Sequence, residues 1–405
     1  MHLLSMTRAP APWLSSLMVL AACASGTGAP PPDGAEPDSA EPDTGVTAGQ
    51  CLEEWSDGVR EVDPYGPDTQ IHTEVRFDGA RLWFTWNRPN AANGFDVWAV
   101  QTRCDGAPVG APIEVSDSLD NEVDPTLAFL DGRILLAWTS SSDTSGLGVR
   151  YRVLTTEGAA VSDATTFEGT RAGEPVTGNV MAPSLDADGE RFLLAGSWGH
   201  GDAPAFQAFT QPIDADGAPA GESTDVELDT ENGQTVVKMV VHDAQPWVAW
   251  QEDSLADPDP RAWMAPLGSA PTQLGTTGAR PSLTASPAGV WSAWDDNEGG
   301  IFVRPPGAEP VALDLGGGFF HSPQLASSGD TVVVLVMELD TGVYNDLKLV
   351  TLDQDGVLDA LPVEAEGAPS PYAASVAMID PNHAVVAWQE GDNPAFRSRA
   401  EWISW

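Results

Sequence analysis

A short apolar strand that ends in tryptophan returns along this chain about every fifty residues. The clearest copies are Leu82–Trp86, Ile134–Trp138, Trp247–Trp250 and Val385–Trp388. Repeats of that length indicate one small unit of structure that is copied along the chain and buries its apolar face against its neighbours. The sequence therefore predicts a repeat domain, not two or three unrelated domains.

The second copy shows what each unit contains. Four short strands are predicted near Pro125–Leu130, Arg133–Thr139, Val149–Leu154 and Ala160–Phe167. The first two strands are joined by Asp131-Gly132 and the last two by Glu157-Gly158, and such pairs suit the positive-φ positions of tight hairpin turns. Each unit is thus predicted to be a four-stranded antiparallel sheet.

Seven units follow one another, at roughly 66–118, 119–168, 176–229, 233–276, 277–315, 319–365 and 369–405. Units of four strands at this spacing are typical of a β-propeller. We therefore expect an all-β fold, a seven-bladed β-propeller of four-stranded antiparallel blades, at 51–405. The tryptophan of the second strand aligns as Trp86, Trp138, Trp198, Trp250, Trp294 and Trp388, with Met337 in unit six. Its position favours packing between blades over a sugar-stacking platform.

The last unit is one strand short. After Trp388 only one more strand fits, at 396–405, and a blade of three strands would leave an exposed edge. The segment Leu52–Val62 has no strand partner of its own in front of the first unit. We expect residues 51–63 to complete the last blade and close the ring.

The first residues indicate a targeting segment. Residues 1–22 are weakly basic at the start, and the apolar run Trp13–Ala22 is too short to span a bilayer stably. Leu20-Ala21-Ala22-Cys23 resembles the bacterial lipobox, which implies a cleaved signal peptide and a lipidated Cys23 carrying palmitate-type acyl chains. The alternative is an ordinary cleaved signal with an incidental cysteine. Ala24 after the cysteine, by the same resemblance, favours the outer membrane or cell surface over the inner membrane.

Residues 23–50 are rich in proline, acids and small residues, and are predicted to be a disordered tether because they cannot bury a core. The two remaining cysteines are Cys51 and Cys104. Outside the cytoplasm an even number of cysteines suggests a disulfide, and bridging these two would close a loop of roughly fifty residues. The alternative is two buried thiols.

The formal net charge is -42, and the chain has only two lysines, Lys238 and Lys348. Such a field repels nucleic acid and attracts cations and basic proteins, so no nucleic-acid partner is expected. The same acidity also fits a solubility surface or adaptation to salt.

The repeats resemble those of β-propeller lipoproteins of Gram-negative bacteria, the kind found in myxobacteria and their relatives. The likeness spans nearly all of 51–405. The repeats lack the Gly-His and Trp-Asp pair of WD40 units, the Gly-Gly and Tyr pattern of kelch units and the aspartate box of sialidases. The resemblance therefore implies a fold and a location in the cell envelope, and no activity.

Acidic residues concentrate in the predicted loops between second and third strands. The best cation candidate is the loop with Glu252, Asp253, Asp257 and Asp259, because four carboxylates fall within one connection and Ca²⁺ prefers six to eight oxygens. The alternative is that they are solvated loop tips. No other cofactor is expected.

Three further residues are candidates for a binding rim. His72 and His321 stand at roughly matching entries to predicted first strands, and Arg280 is a charge that could join them. If these residues and the loop acids surrounded one deep pocket, an enzyme would be favoured; a broad acidic rim would favour binding. Ser197 and His200 echo a serine nucleophile turn, but no helix follows, so we expect plain loop residues and no catalytic residue.

Together these features favour a monomeric, membrane-anchored envelope lipoprotein whose acidic propeller binds a protein or polysaccharide. The alternative is a propeller-fold glycoside hydrolase or lyase with its acids on the same face. An envelope scaffold without a small-molecule ligand is a third reading.

Overall fold

The computed structural model describes residues 48–405, except 64–65, 67–68, 93, 117, 143–145, 169, 172–173, 176–177, 201–205, 227–231, 254–258, 341–343, 354–355, 364–371 and 392–394. All of these described residues lie within one compact unit, Asp43–Trp405. Across this described part, no helix combines the length and apolarity needed to cross a membrane.

One helix and thirty strands make up the described chain, and they begin with α1 (Ala48–Glu53) and β1 (Gly58–Glu61). The first three blades are β2–β5 (Ile71–Phe77, Leu82–Pro89, Phe95–Thr102, Ile113–Glu114), β6–β9 (Asn121–Leu130, Arg133–Ser142, Gly146–Thr155, Thr165–Thr166) and, after the small ribbon β10–β11 (Thr170–Arg171, Glu174–Pro175), β12–β15 (Gly178–Ala187, Phe192–His200, Phe206–Ile213, Thr224–Asp225).

The next three blades are β16–β19 (Gly233–His242, Gln245–Asp253, Arg261–Pro266, Thr272–Gln273), β20–β23 (Ala279–Ser286, Gly289–Asp295, Ile301–Arg304, Val311–Ala312) and β24–β27 (Phe319–Ser328, Thr331–Asp340, Tyr344–Asp353, Gly356–Pro362). The seventh contains β28–β30 (Tyr372–Asp380, His383–Glu390, Arg397–Ser404) and β1. Each first strand contacts the first strand of the next blade, and β2 contacts β28, so the blades form a closed ring. The predicted seven-bladed all-β propeller is confirmed.

The turns form where the Asp-Gly pairs stand. Asp78 Oδ1 accepts the backbone N–H groups of Ala80 and Arg81 at 2.8 and 2.7 Å, and Gly79 takes a φ of 96°. Asp188 does the same for Glu190 and Arg191, at 3.0 and 2.8 Å. The aspartate therefore satisfies the turn locally before any contact between blades is made.

The hydrophobic core lies between the blades. Seven clusters of buried side chains each join two neighbouring blades; in one, Trp138 of the second blade packs with Trp83, Val97 and Leu136. The aligned tryptophans are all at most 4% exposed. They pack between blades, as the sequence predicted, and large aromatic side chains dominate the energetics of such contacts.

The strand pairing corrects the alignment in two blades. In four blades an alanine of the second strand directly precedes the tryptophan. These alanines pair with residues that hold the same place in their first strands: Ala137 with Thr126, Ala249 with Lys238, Ala293 with Ser282, and Ala387 with Ser375. In the third and sixth blades the residues at the alanine position are Ala195 and Leu335, which pair with Ser184 and Gln324. The tryptophan position is therefore taken by Gly196 and Val336, and Trp198 and Met337 lie beyond it in their strands. In the third blade, Phe209 explains why position 196 carries no tryptophan. A Cβ on Gly196 would lie 3.1 Å from Phe209 Cε1, so the phenyl ring already occupies the space beside this position.

Every first strand also carries an irregularity near its start. The pairing register shifts in all seven blades, and the positive-φ residues at six of these shifts are His72, Asp124, Ala182, Val236, Arg280 and Ser322, with φ between 48° and 54°. A bulge of this kind bends the strand and redirects its side chains. We call these the bulge residues.

The N-terminal segment closes the ring, but with a shorter strand than predicted. β1 pairs with β30 from Gly58↔Trp402 to Glu61↔Arg399, whereas residues at the start of the expected Leu52–Val62 strand belong to α1. Cys51 and Cys104 form the expected disulfide, with Cα atoms 5.1 Å apart. The guanidinium of Arg60 lies 4.6 Å from the ring centroid of Trp402, which adds a cation–π contact to the closure.

Candidate functional site

The upper face of the propeller carries the connections from second to third strands and from each blade to the next. At its centre the bulge residues surround the mouth of the channel. In four interfaces, the residue that directly follows a second-strand tryptophan accepts a hydrogen bond from the backbone N–H of the bulge residue in the next blade, at 3.0–3.1 Å. Gln389 accepts from His72, Thr139 from Ala182, Gln251 from Arg280, and Asp295 from Ser322. These bonds fix the rim of the channel, because they satisfy backbone groups that the bulge removes from the sheet.

Arg280, the first of the predicted rim residues, is held by a carboxylate. Its Nε and Nη2 lie 2.8 and 2.6 Å from the two oxygens of Asp295, and Nη2 also donates to Asn297 at 3.0 Å. The Asp295 side chain is fully buried, and its second role is to accept the N–H of Ser322 in the next blade. A bidentate pair of this kind neutralises the guanidinium, so Arg280 offers little charge to a ligand.

The two predicted rim histidines lie at different places. His72 Nδ1 is 3.1 Å from Asp124 Oδ1, between the first and second blades. His321 precedes the bulge residue Ser322, and its Nδ1 lies 3.0 Å from Ser322 Oγ. Asp295 therefore connects Arg280 to the strand of His321, whereas His72 is held by Asp124. A cleft of about 460 Å³ on the described surface is lined by other residues: Asn90, Ala91, Asp96, Glu114, Ser116, Ser118, Leu119 and Arg152.

The predicted cation loop is only partly within the described residues. Glu252 and Asp253 are consecutive on β17, so their side chains lie on opposite faces of the sheet. Glu252 Oε1 accepts from Asn232 at 3.1 Å, and Asp253 accepts from Thr235 and Gln251 at 2.6 and 2.7 Å. Asp259 is exposed, and Asp257 lies outside the described residues, as does Cys23.

Among the described side chains, no three or more histidines, cysteines or acids are grouped closely enough to hold a metal ion. The complete Glu252–Asp259 loop therefore stays a prediction. The structure also changes the setting of Ser197 and His200, which lie in β13 and not in a loop; Ser197 is fully buried.

Four more cations near the upper face are also paired with acids. Lys348 Nζ lies 2.6 Å from Glu338, Arg399 Nε lies 2.6 Å from Glu390, and Arg150 Nη1 lies 3.2 Å from Glu122. Arg88 pairs with Asp63, and burial lowers the pKa of Arg88 to about 10 although Glu114 opposes the shift. Exposed carboxylates stand on the same face: Glu298, Asp314 and Asp346.

A second group of polar side chains lies on the innermost strands, where the sequence had not placed a site. Two residues after each bulge, the first strands carry Glu74, Thr126, Ser184, Lys238, Ser282, Gln324 and Ser375, which we call the channel ring. Three of its serines accept a backbone N–H of the next blade at 2.9–3.0 Å: Ser184 from Met239, Ser282 from Leu325, and Ser375 from Val75. The ring is therefore structural where it carries serine.

Charged side chains on these first strands interact electrostatically. Arg76 Nε donates to Glu74 Oε1 at 2.8 Å, and although burial opposes it, the attraction of Glu74 and then of Asp186 raises the pKa of Arg76. Burial raises the pKa of Asp186, which also accepts the N–H of Val241 at 2.7 Å. The sequence does contain an indication of these residues, because charged side chains occur within first strands that are otherwise buried against neighbouring blades.

The comparisons with known proteins agree with the fold. No protein-family model and no curated protein matches the sequence. A protein of unknown function from Dyadobacter fermentans has a similar structure, with a TM-score of 0.51 at 10% identity over 86% of this chain and 99% of that chain. A polysaccharide lyase is similar with a TM-score of 0.53 at 12% identity, over 86% and 92%.

A sialidase of Trypanosoma rangeli, in complex with the inhibitor DANA, gives a TM-score of 0.51 at 11% identity, over 82% of this chain and 55% of that chain. At such identities the likeness shows the propeller fold alone.

Proposed function

We propose that this protein is a lipid-anchored bacterial envelope protein whose upper face binds a basic protein partner or a polysaccharide without catalysis. The lipobox-like Leu20–Cys23 and the tether at 23–50 support the anchor and an outer-membrane or surface location. The propeller then acts as a monomeric module held away from the membrane.

The observation that carries the binding proposal is the imbalance of pairing on the upper face. Five cations described there contact a carboxylate, among them Arg280, which contacts Asp295, and Lys348, which contacts Glu338. Glu298, Asp314 and Asp346 stay exposed. A face on which such pairs neutralise cations while these acids stay exposed attracts positive charge and repels carboxylate-bearing substrates.

The same imbalance makes the hydrolase or lyase alternative less well supported. Enzymes that act on anionic sugars need positive charge at the substrate carboxylate, and the bidentate Arg280–Asp295 pair uses the rim guanidinium. The similarity to a sialidase and a lyase supports only the fold.

The test compares two faces with the same change in charge. The upper variant is Glu298→Gln, Asp314→Asn, Asp346→Asn; the lower variant is Asp131→Asn, Asp243→Asn, Asp330→Asn, whose residues are equally exposed in the opposite turns. Binding of a decalysine peptide is measured by calorimetry at low salt. We expect the upper variant to bind about tenfold more weakly and the lower variant to bind nearly as the wild type does. Equal losses in both variants would show attraction by bulk charge and no binding face.

A further inference from the structure

The cleft of about 460 Å³ lies where the outer strands of the first blade meet the third strand of the second. Of the residues that line it, Asn90 follows β3, Leu119 lies between β5 and β6, and Arg152 lies on β8. The connections that carry Asn90 and Leu119 belong to the upper face, so the cleft opens there. Its volume falls within the range of small-molecule sites, about 300–1,000 Å³.

Arg152 is held in this cleft by backbone groups. Its Nε donates to the carbonyl oxygen of Ser162 at 3.1 Å, and its Nη1 donates to that of Val115 at 3.0 Å. Among the described residues no carboxylate pairs with Arg152, and its Nη2 has no hydrogen-bond partner. Arg280, by contrast, gives both Nε and Nη2 to Asp295. Arg152 therefore keeps donors, in a fixed orientation, for a ligand in the cleft.

A buried hydroxyl group of the lining also keeps a donor. Ser116 is 1% exposed, and its Oγ accepts the backbone N–H of Val97 at 2.8 Å. Within the part of the chain that the structure describes, the hydroxyl hydrogen of Ser116 has no acceptor. A buried donor without a partner is costly, and an oxygen atom of a ligand in the cleft would satisfy it.

Acceptors line the same cleft. Asp96 is 8% exposed, and its Oδ1 accepts from Asn90 Nδ2 at 3.3 Å. A carboxylate has about four acceptor positions, so a bond from Asn90 does not exclude one from a ligand. Glu114 adds a second, exposed carboxylate. The cleft thus offers carboxylate acceptors beside the guanidinium and hydroxyl donors.

The cleft has an apolar side as well. Leu119 is 74% exposed, whereas the other exposed large hydrophobic side chains described are between 37% and 45% exposed. Binding sites for small molecules combine a few convergent polar groups with apolar surface. A ligand that fits here has hydroxyl groups on its edges and carbon–hydrogen bonds on one face.

We propose that this cleft binds a neutral sugar unit of a polysaccharide. A sugar hydroxyl both donates and accepts, so one unit donates to Asp96, accepts from Arg152 Nη2 and Ser116 Oγ, and places a carbon–hydrogen face against Leu119. The two carboxylates repel an acidic sugar, and the guanidinium repels a lysine side chain. The inference rests on the proposed function, since it assigns the polysaccharide to one site on the upper face.

The first experiment tests the class of ligand. The mature protein is applied to an array of neutral oligosaccharides of glucose, galactose, mannose, xylose and N-acetylglucosamine, with acidic oligosaccharides on the same array. We expect retention on neutral members, with little change between low and high salt, because no net charge is paired. Failure to bind any neutral member, or stronger binding to acidic members, overturns the proposal.

Two variants then test the place of binding, by calorimetry with the neutral oligosaccharide that binds best. Leu119→Ser changes an exposed side chain, and Arg152→Lys removes the planar fork that reaches both backbone and ligand. We expect each to weaken binding about tenfold. The matched controls in the fifth blade are Val311→Ser, at a residue 45% exposed, and Arg304→Lys, whose Nε donates to the carbonyl oxygen of Ala308 at 3.1 Å. Both controls should bind as the wild type does.

The outcomes separate this site from the charged upper face. Wild-type affinity in both Leu119→Ser and Arg152→Lys overturns the site; if urea unfolding shows that Arg152→Lys is unfolded, Leu119→Ser decides alone. The upper variant should lose decalysine and keep the sugar, so a failed decalysine test with intact sugar binding contradicts the basic partner only. Weaker decalysine binding in Leu119→Ser, with no sugar bound by the wild type, would assign the cleft to a basic protein and overturn the proposal.

Discussion

The side-chain oxygen Oε1 of Gln389 accepts a hydrogen bond from the backbone N–H of His72, 317 residues earlier in the chain, at 3.1 Å. Gln389 lies one residue before the end of the second strand of the last blade, and His72 is the bulge residue of the first blade. The bond therefore crosses the seam at which the ring closes. It repeats the geometry by which Thr139, Gln251 and Asp295 hold the bulge residues of interior interfaces.

Replacing Gln389 by leucine should weaken the whole ring. The buried side chain would leave the N–H of His72 unpaired, and an unsatisfied buried donor costs about 1–3 kcal/mol. Urea unfolding measures the free energy of unfolding. The control is Gln273→Leu, which removes an exposed side-chain bond to Gly275. A similar small change in both variants would mean that the seam is not held by this bond.

Removal of the closing strand should destabilise every blade together. A chain without residues 51–62 lacks β1 and the Cys51–Cys104 disulfide, and each repeat relies on its neighbours. Thermal unfolding should show one transition at a clearly lower temperature. A second truncation, of residues 24–47, should melt like the parent chain, since that composition cannot contribute a core. A 51–62 deletion that melts normally would contradict the closure.

Gly196→Ala should destabilise the third blade. The new Cβ would lie 3.1 Å from Phe209 and 3.2 Å from the carbonyl oxygen of Met181, and overpacking of this kind costs about 1–3 kcal/mol. Chemical denaturation is the measurement. Gly148→Ala is the matched control in a neighbouring blade, because a Cβ there meets nothing within 4 Å. Equal stability of both variants would show that Phe209 can move aside.

The stability of the interface between the first and second blades should depend on pH, because Glu122 lies there. Burial raises the pKa of Glu122 above its ordinary value of 4.5, although Ser118 and Arg150 donate to its carboxylate. The folded state thus binds this proton more tightly, and stability falls as pH rises through the interval above 4.5. Glu122→Gln should gain stability relative to the wild type between pH 4 and pH 7, measured by urea unfolding. Glu298→Gln, at an exposed site, should show no such trend; a flat difference for Glu122→Gln would contradict the assignment.

The proposed anchoring depends on one residue, Cys23. If Cys23 carries the lipid, metabolic labelling with an alkyne fatty acid should mark the wild-type protein and not Cys23→Ser. The same experiment on Cys104→Ser, which changes a disulfide cysteine, should still give a labelled band. Label retained by Cys23→Ser would remove the lipoprotein assignment.

Local chemistry in the sequence was enough to predict the blades. Asp78-Gly79 and its equivalents form hairpin turns because the aspartate bonds to backbone two and three residues away, and the tryptophan-ended strands need only a neighbouring blade to be buried. Blade number and closure by the N-terminal segment follow from counting such units, and the Cys51–Cys104 bridge follows from counting cysteines. The blades themselves depend on residues close together in the chain and on a simple repeat.

The site depended on contacts that no local pattern contains. The displacement of Trp198 follows from Phe209 on the next strand, and the neutralisation of Arg280 follows from Asp295, whose orientation the bulge fixes. Lys238 and Glu74 are 164 positions apart in sequence numbering and interact electrostatically only because seven blades close around one axis. The sequence by itself determined the four-stranded unit and its repetition. Ring closure alone decided which charges share the centre of the propeller, because side chains from distant strands interact only when their blades are fixed around the same axis.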